Sequence, residues 1–188
     1  YDIMTRTGVK SCFVSFLLNI QLYKTMNIKP EQLSNNLASG IKPIYFVFGA
    51  EILLVEQSLT LIKDFAKEQG FSERTRFDID GNFSWDAIFG LIASPSLFAE
   101  KRIIECRLTT GKIGIKGSKA LAELTEILQD DILLIISTGK LDIAQQKSKW
   151  FKALDKNGVT IQHWEVQSDQ LVVWLLNQMR QLGLNQNN

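Results

Sequence analysis

Histidine is almost missing from this chain, cysteine is scarce, and neither sign of charge prevails. The 188 residues hold one histidine and two cysteines. A zinc site needs ligands grouped a few residues apart. Cys12 and Cys106 stand alone and far apart, so no metal spacing exists. Two unpaired thiols fit a reducing cytoplasm. A Ser-His-Asp or Cys-His nucleophile would have to use His163. That residue lies in Thr160-Ile161-Gln162-His163-Trp164, which reads as a strand, and is taken as a structural histidine. Lys and Arg number 21 against 20 Asp and Glu, a net charge of +1. Phosphate-driven nucleic-acid binding draws on a clustered Lys/Arg excess, so bulk charge does not supply it here. No apolar run approaches the roughly 18 residues that a membrane helix needs. What is present is ordinary: 45% apolar and 22% charged residues, too apolar for disorder. A domain near this length buries about 70% of its unfolded surface and folds without disulfides or metal.

Residues 1–25 look foreign to the rest. They lack clear periodicity and hold one apolar patch, Cys12-Phe13-Val14-Ser15-Phe16-Leu17-Leu18, behind Arg6 and Lys10. The patch is short and no small-residue cleavage site follows, so it is a faint imitation of a secretory signal. The reading is a leader or non-native extension, with Met26 as the natural start and a real arm as the alternative.

After Met26 strands alternate with helices. A capped helix begins around Asn27 to Leu33 and is closed by Gly40. Ile44-Tyr45-Phe46-Val47-Phe48 is continuously apolar, as in a strand buried on both faces. Ile52, Val55, Leu59, Ile62 and Ala66 keep helical spacing up to a stop at Gly70. Thr75 to Asp80 alternates like a strand, and Ser84 can cap a helix carrying Trp85, Ile88, Phe89 and Ile92. Arg102 to Leu108 is a third strand, Ser118 to Gln129 a helix, and Ile132 to Ile136 a fourth strand. Asp142 can cap a Lys-rich helix stopped by Gly158; Val159 to Val166 is a fifth strand and Asp169 to Leu182 a last helix. Such alternation predicts a layered α/β domain on a mostly parallel, five-stranded sheet. The polar end, Asn185 to Asn188, reads as a cut chain.

In open α/β sheets ligands sit beyond the C-terminal ends of the strands. A P-loop there reads Gly-x-x-x-x-Gly-Lys-Ser/Thr. The first buried strand instead runs into Phe48-Gly49-Ala50-Glu51-Ile52-Leu53-Leu54-Val55. The second glycine, the lysine and the hydroxyl are missing, and Glu51 and Glu56 would repel phosphate. A basic, Gly-rich stretch, Gly111 to Lys119, has Gly-Ser-Lys in place of Gly-Lys-Ser and reads as a solvated connection. For magnesium the third strand offers only Glu105, and Asp130-Asp131 fall at the wrong end of the fourth. Lys140, Lys147, Lys149, Lys152 and Lys156 form a basic face, read as a solvated surface opposite Trp150, Phe151 and Leu154. A DNA-binding face and a nucleotide-dependent enzyme with a degenerate loop are the alternatives.

One loop stands out. Ser96-Leu97-Phe98 follows Pro95 between a helix and a strand. Loops are normally polar. The apolar pair either folds back into the core or plugs a partner's pocket, since such anchors dominate interface energies. Four stretches then carry a resemblance. They are Pro30-Glu31-Gln32-Leu33; Trp85-Asp86-Ala87-Ile88-Phe89 with Ser96-Leu97-Phe98-Ala99; Asp130-Asp131-Ile132-Leu133-Leu134-Ile135; and Gly139-Lys140-Leu141 with Trp150-Phe151-Lys152-Ala153-Leu154. In order and spacing, residues 26 to 188 resemble the delta subunit of the bacterial DNA polymerase III clamp loader.

The resemblance implies a three-layer, RecA-like AAA+ domain over 26–166 with a degenerate nucleotide site. It also implies the first helix of a truncated lid domain over 167–188. It implies no catalysis by the subunit itself, only membership of the polymerase III holoenzyme, and no cofactor or metal. The implied partners are the sliding clamp (beta subunit) and, in the full-length protein, the gamma/tau and delta prime subunits. DNA would be met only through the assembled complex, in the cytoplasm and away from membranes. The hydrophobic wedge that enters the clamp maps to Leu97 and Phe98, beside Ser96. Pro95 stands where the family can carry another apolar contact such as methionine.

Overall fold

The structure is a computed structural model. It describes residues 26–94 and 101–165 and, beyond them, Val172, Leu175, Leu176, Met179 and Arg180, which are helical. The leader reading at 1–25 lies outside the described residues.

Six strands form one sheet: β1 (Met26–Ile28), β2 (Ile44–Gly49), β3 (Phe71–Ile79), β4 (Lys101–Leu108), β5 (Ile132–Thr138) and β6 (Val159–His163). Their order is β1-β6-β2-β5-β4-β3, and every pairing is parallel. The helices are α1 (Leu33–Ala38, entered through a 3-10 turn at Pro30–Gln32), α2 (Ile52–Glu68), α3 (Asp86–Ala93), α4 (Gly114–Ile127), α5 (Ile143–Gln146) and α6 (Lys149–Asn157).

The central strands explain the layering. Every residue of β2 and of β5 is buried. Alternate side chains of β2 therefore serve two cores. Tyr45 and Val47 join α1 and α2 through Leu33, Leu37, Leu59 and Ile62. Phe46 and Phe48 join α3, α4 and α6 through Ile88, Leu121, Leu124, Trp150 and Leu154. Rings tie the second core together, with Phe46 edge-on to Trp150 at 5.8 Å and to Phe151 at 5.6 Å. This is the expected α/β, three-layer class with a parallel sheet.

Several expectations are corrected. Among the described residues the sheet has six strands rather than five. Met26–Ile28, taken as the approach to a helix, pairs with β6 as Met26↔Val159 to Ile28↔Ile161. Three residues are too few to show a period, and an open edge of β6 supplies the hydrogen bonds. The second strand starts at Phe71, not Thr75: its burial alternates throughout, but the polar run Ser72-Glu73-Arg74 hides this in the sequence, and the pairing register shifts between Phe71 and Glu73. The helix placed at Ser118 starts at Gly114, whose φ of 67° opens the turn into α4. The Lys-rich helix is two helices. Asp142 caps α5, and Ser148 caps α6 by accepting from the Phe151 amide at 3.3 Å. Ser84 caps nothing: Trp85 holds the N-cap position of α3 and makes no side-chain cap bond. The last strand ends at His163 rather than Val166.

Candidate functional site

The C-terminal ends of β2, β4 and β5 frame a cavity of about 440 Å³, lined among others by Gly49, Glu56, Asp78, Arg107 and Thr138. Gly49 and the first turns of α2, through Ile52, Val55 and Glu56, form one side of it, and the Gly49-Ala50-Glu51 turn joins the two. Glu51 is the N-cap and makes no side-chain cap bond. A glycine is required at 49 for packing: a Cβ there would run into the carbonyl and Cβ of His163 on the neighbouring strand. The end of β2 therefore packs directly on the end of β6. In P-loop register Leu54 stands at the second glycine and Val55 at the lysine, so the turn lacks the charge that holds phosphate.

His163 itself is buried, and its Nε2 lies 2.8 Å from Ser58 Oγ of α2. Burial pushes its pKa below the usual value, and Glu31 pulls weakly the other way. The bond ties the end of β6 to α2. The structural reading of this histidine holds.

Glu105 is not a magnesium ligand in waiting. It is buried mid-strand on the α2 face, with Arg74 Nε at 2.9 Å and Lys63 Nζ at 3.8 Å. Asp130 and Asp131 sit in the connection before β5, and the Asp131 carbonyl accepts from the Arg102 amide at 2.8 Å. Among the described residues no three His, Cys, Asp or Glu side chains group as a metal site. Cys106 is buried in the sheet, and burial pushes its thiol pKa up, away from reactivity.

Two basic segments distant in sequence come together. A Cβ on Gly111 would strike Leu141 and Gln145, so the Gly-rich stretch lies against the start of α5. Lys112, Lys119 and Lys149 line one groove of about 850 Å³ with Ser118 and Trp150. Lys140 stands apart, its Nζ 2.6 Å from Glu165 Oε1 on the surface. On α6, Trp150 and Leu154 are buried, so the lysines do occupy the outer face. The convergence of the two segments was invisible in sequence, because a parallel sheet sets side by side helices that follow separate strands.

Pro95, Ser96, Leu97 and Phe98 lie outside the described residues. Helix α3 seats Ile88 and Ile92 in the core and ends at Ser94, where ψ is 120°. The following proline dictates that extended geometry. β4 begins at Lys101. Its Nζ donates to the Gln69 carbonyl at 3.1 Å and stands 5.3 Å above the Phe71 ring.

The family model described as "DNA polymerase III, delta subunit" matches residues 45–163. The chain is 34% identical over 159 residues to DNA polymerase III subunit delta of Escherichia coli, covering 85% of the chain. The chain belongs to the DNA polymerase III delta subunit family. The delta subunit of Haemophilus influenzae is 30% identical over 164 residues, or 86% of the chain. The chain spans under half of these relatives, 46% and 47% of their lengths. In fold, this delta-family chain matches the Bacillus subtilis DNA clamp loader delta protein with a TM-score of 0.60 at 17% identity, over 81% of the chain and 48% of that protein. The three-layer architecture is therefore that of a clamp-loader delta subunit, as the resemblance implied.

Proposed function

We propose that this chain is the clamp-binding part of a clamp-loader subunit in a bacterial replicase, acting in the cytoplasm without catalysis of its own. Residues 26–166 form its RecA-like AAA+ unit. Leu97 and Phe98, beside Ser96 and Pro95, enter an apolar pocket of the sliding clamp and help open the ring for loading on primed DNA. The gamma/tau and delta prime subunits assemble with the full-length protein, polymerisation belongs to the holoenzyme, and DNA is met only in that assembly.

Family membership carries this reading. Two features support it. The strand-end turn has no phosphate-binding lysine, which disfavours a nucleotide-driven role, and the Leu97-Phe98 pair sits between two firmly held element ends. Immobilised chain should retain purified sliding clamp, and the Leu97→Ala/Phe98→Ala variant should not. Equal retention by both would remove the wedge from the account.

A further inference from the structure

Arg102 is the second residue of β4, yet its side chain is only 5% exposed. Its Nη1 donates to the carbonyl oxygens of Leu91 at 3.0 Å and Ser94 at 2.9 Å. Those belong to the last turn of α3 and its C-cap. Among the described residues its ion-pair partner is Asp131, 4.0 Å from Nη2. Nε is buried with no hydrogen-bond partner among the described residues.

A guanidinium so placed is expensive. Desolvating a cation beside one distant carboxylate is unfavourable, and an apolar side chain at such a position generally packs as well or better. What arginine supplies there is a rigid fork that binds two carbonyls left unpaired by the end of a helix, with its charge at the favoured end of the dipole. Those two carbonyls flank the point where the chain leaves α3 for residues 95–100. Lys101, the residue at which the chain returns, is held in the same manner, by the Gln69 carbonyl at the C-cap of α2 and by the Phe71 ring.

We infer that Arg102 is a positioning residue: it fixes the exit of α3 to the first residues of β4 and so sets where the Leu97-Phe98 pair is presented. The inference rests on the clamp-binding reading for its consequence but not for its anchor, and two readouts separate them. The first is amide hydrogen exchange in the free protein. Arg102→Gln should speed exchange at Ser94, whose N–H bonds the Gly90 carbonyl at 3.1 Å, by about tenfold while β5 is unchanged. Arg102→Lys, which keeps the charge with fewer donors, should fall between and serves if the glutamine variant does not fold. The second is a double-mutant cycle on clamp affinity. Arg102→Gln should weaken binding by about tenfold in the wild-type background and have almost no effect in the Leu97→Ala/Phe98→Ala background. Equal losses in both backgrounds, or no loss in the first, overturn the positioning role. If wild type does not bind the clamp, the functional reading falls, and the exchange result alone decides: unchanged exchange at Ser94 overturns the anchor, faster exchange upholds it.

Discussion

At the scale of single residues, the close approach of β2 and β6 makes two predictions. Gly49→Ala drives a methyl group into the His163 backbone. It should destabilise the domain by about 1–3 kcal/mol, the usual range for overpacking, measured by urea denaturation. His163 supplies the pH dependence. Its folded pKa is depressed by burial, so the unfolded chain binds the extra proton more readily. The contribution to stability is therefore full above the unfolded pKa of about 6.5 and is lost as the pH falls through the lower folded value. Thermal melts between about pH 8 and pH 5 should show wild type losing more stability than His163→Gln, with the gap opening below about pH 6.5. Equal slopes would mean that the Ser58 contact tolerates the charged imidazolium. The residue inventory had indicated as much about His163: one histidine inside an apolar strand reads as structural. Its partner Ser58 could not be read, because 105 positions separate the two and only the sheet brings β6 over α2.

At the scale of elements, legibility followed burial. β2 and β5, apolar throughout, announced themselves as central parallel strands because both faces must be dry. α2 was equally plain from its 3,4 spacing. Failures gathered where local signals are short or borrowed. β1 has three residues and exists only by pairing with β6. The start of α4 hides in a Gly-rich stretch whose glycines suggest a loop, although Gly114 uses its positive φ to enter the helix. Ser84 had the chemistry of a cap, but Trp85 took the cap position while packing edge-on to Phe83 at 5.6 Å. Ser148, unremarked in the sequence, is the working cap of α6. Ser148→Ala should therefore lower stability by about 1 kcal/mol, whereas Ser84→Ala should stay within about 0.5 kcal/mol of wild type. Chemical denaturation of both variants side by side checks the assignment, and equal losses would refute it.

At the scale of the whole molecule, the near-neutral charge and the family membership fit the proposed role as a protein-binding subunit. The three layers hold a sheet whose strand-end turn lacks a phosphate-binding lysine. The buried acid Glu105 is paired within the fold with Arg74 and Lys63. No helix among the described residues is long and apolar enough to cross a membrane. The family was legible from four short stretches in order, since the sheet core and its connections constrain those residues together. The proposed contact pair rests on that resemblance, because an apolar pair in a loop has no period to betray its direction. Burying a leucine and a phenylalanine in a partner is worth roughly 1.5–3 kcal/mol each. Titration calorimetry of purified sliding clamp with wild type and with Leu97→Ala/Phe98→Ala tests the central claim most directly. The account predicts clean binding by wild type and a loss of about tenfold or more in the variant; affinity unchanged by the double substitution would contradict it.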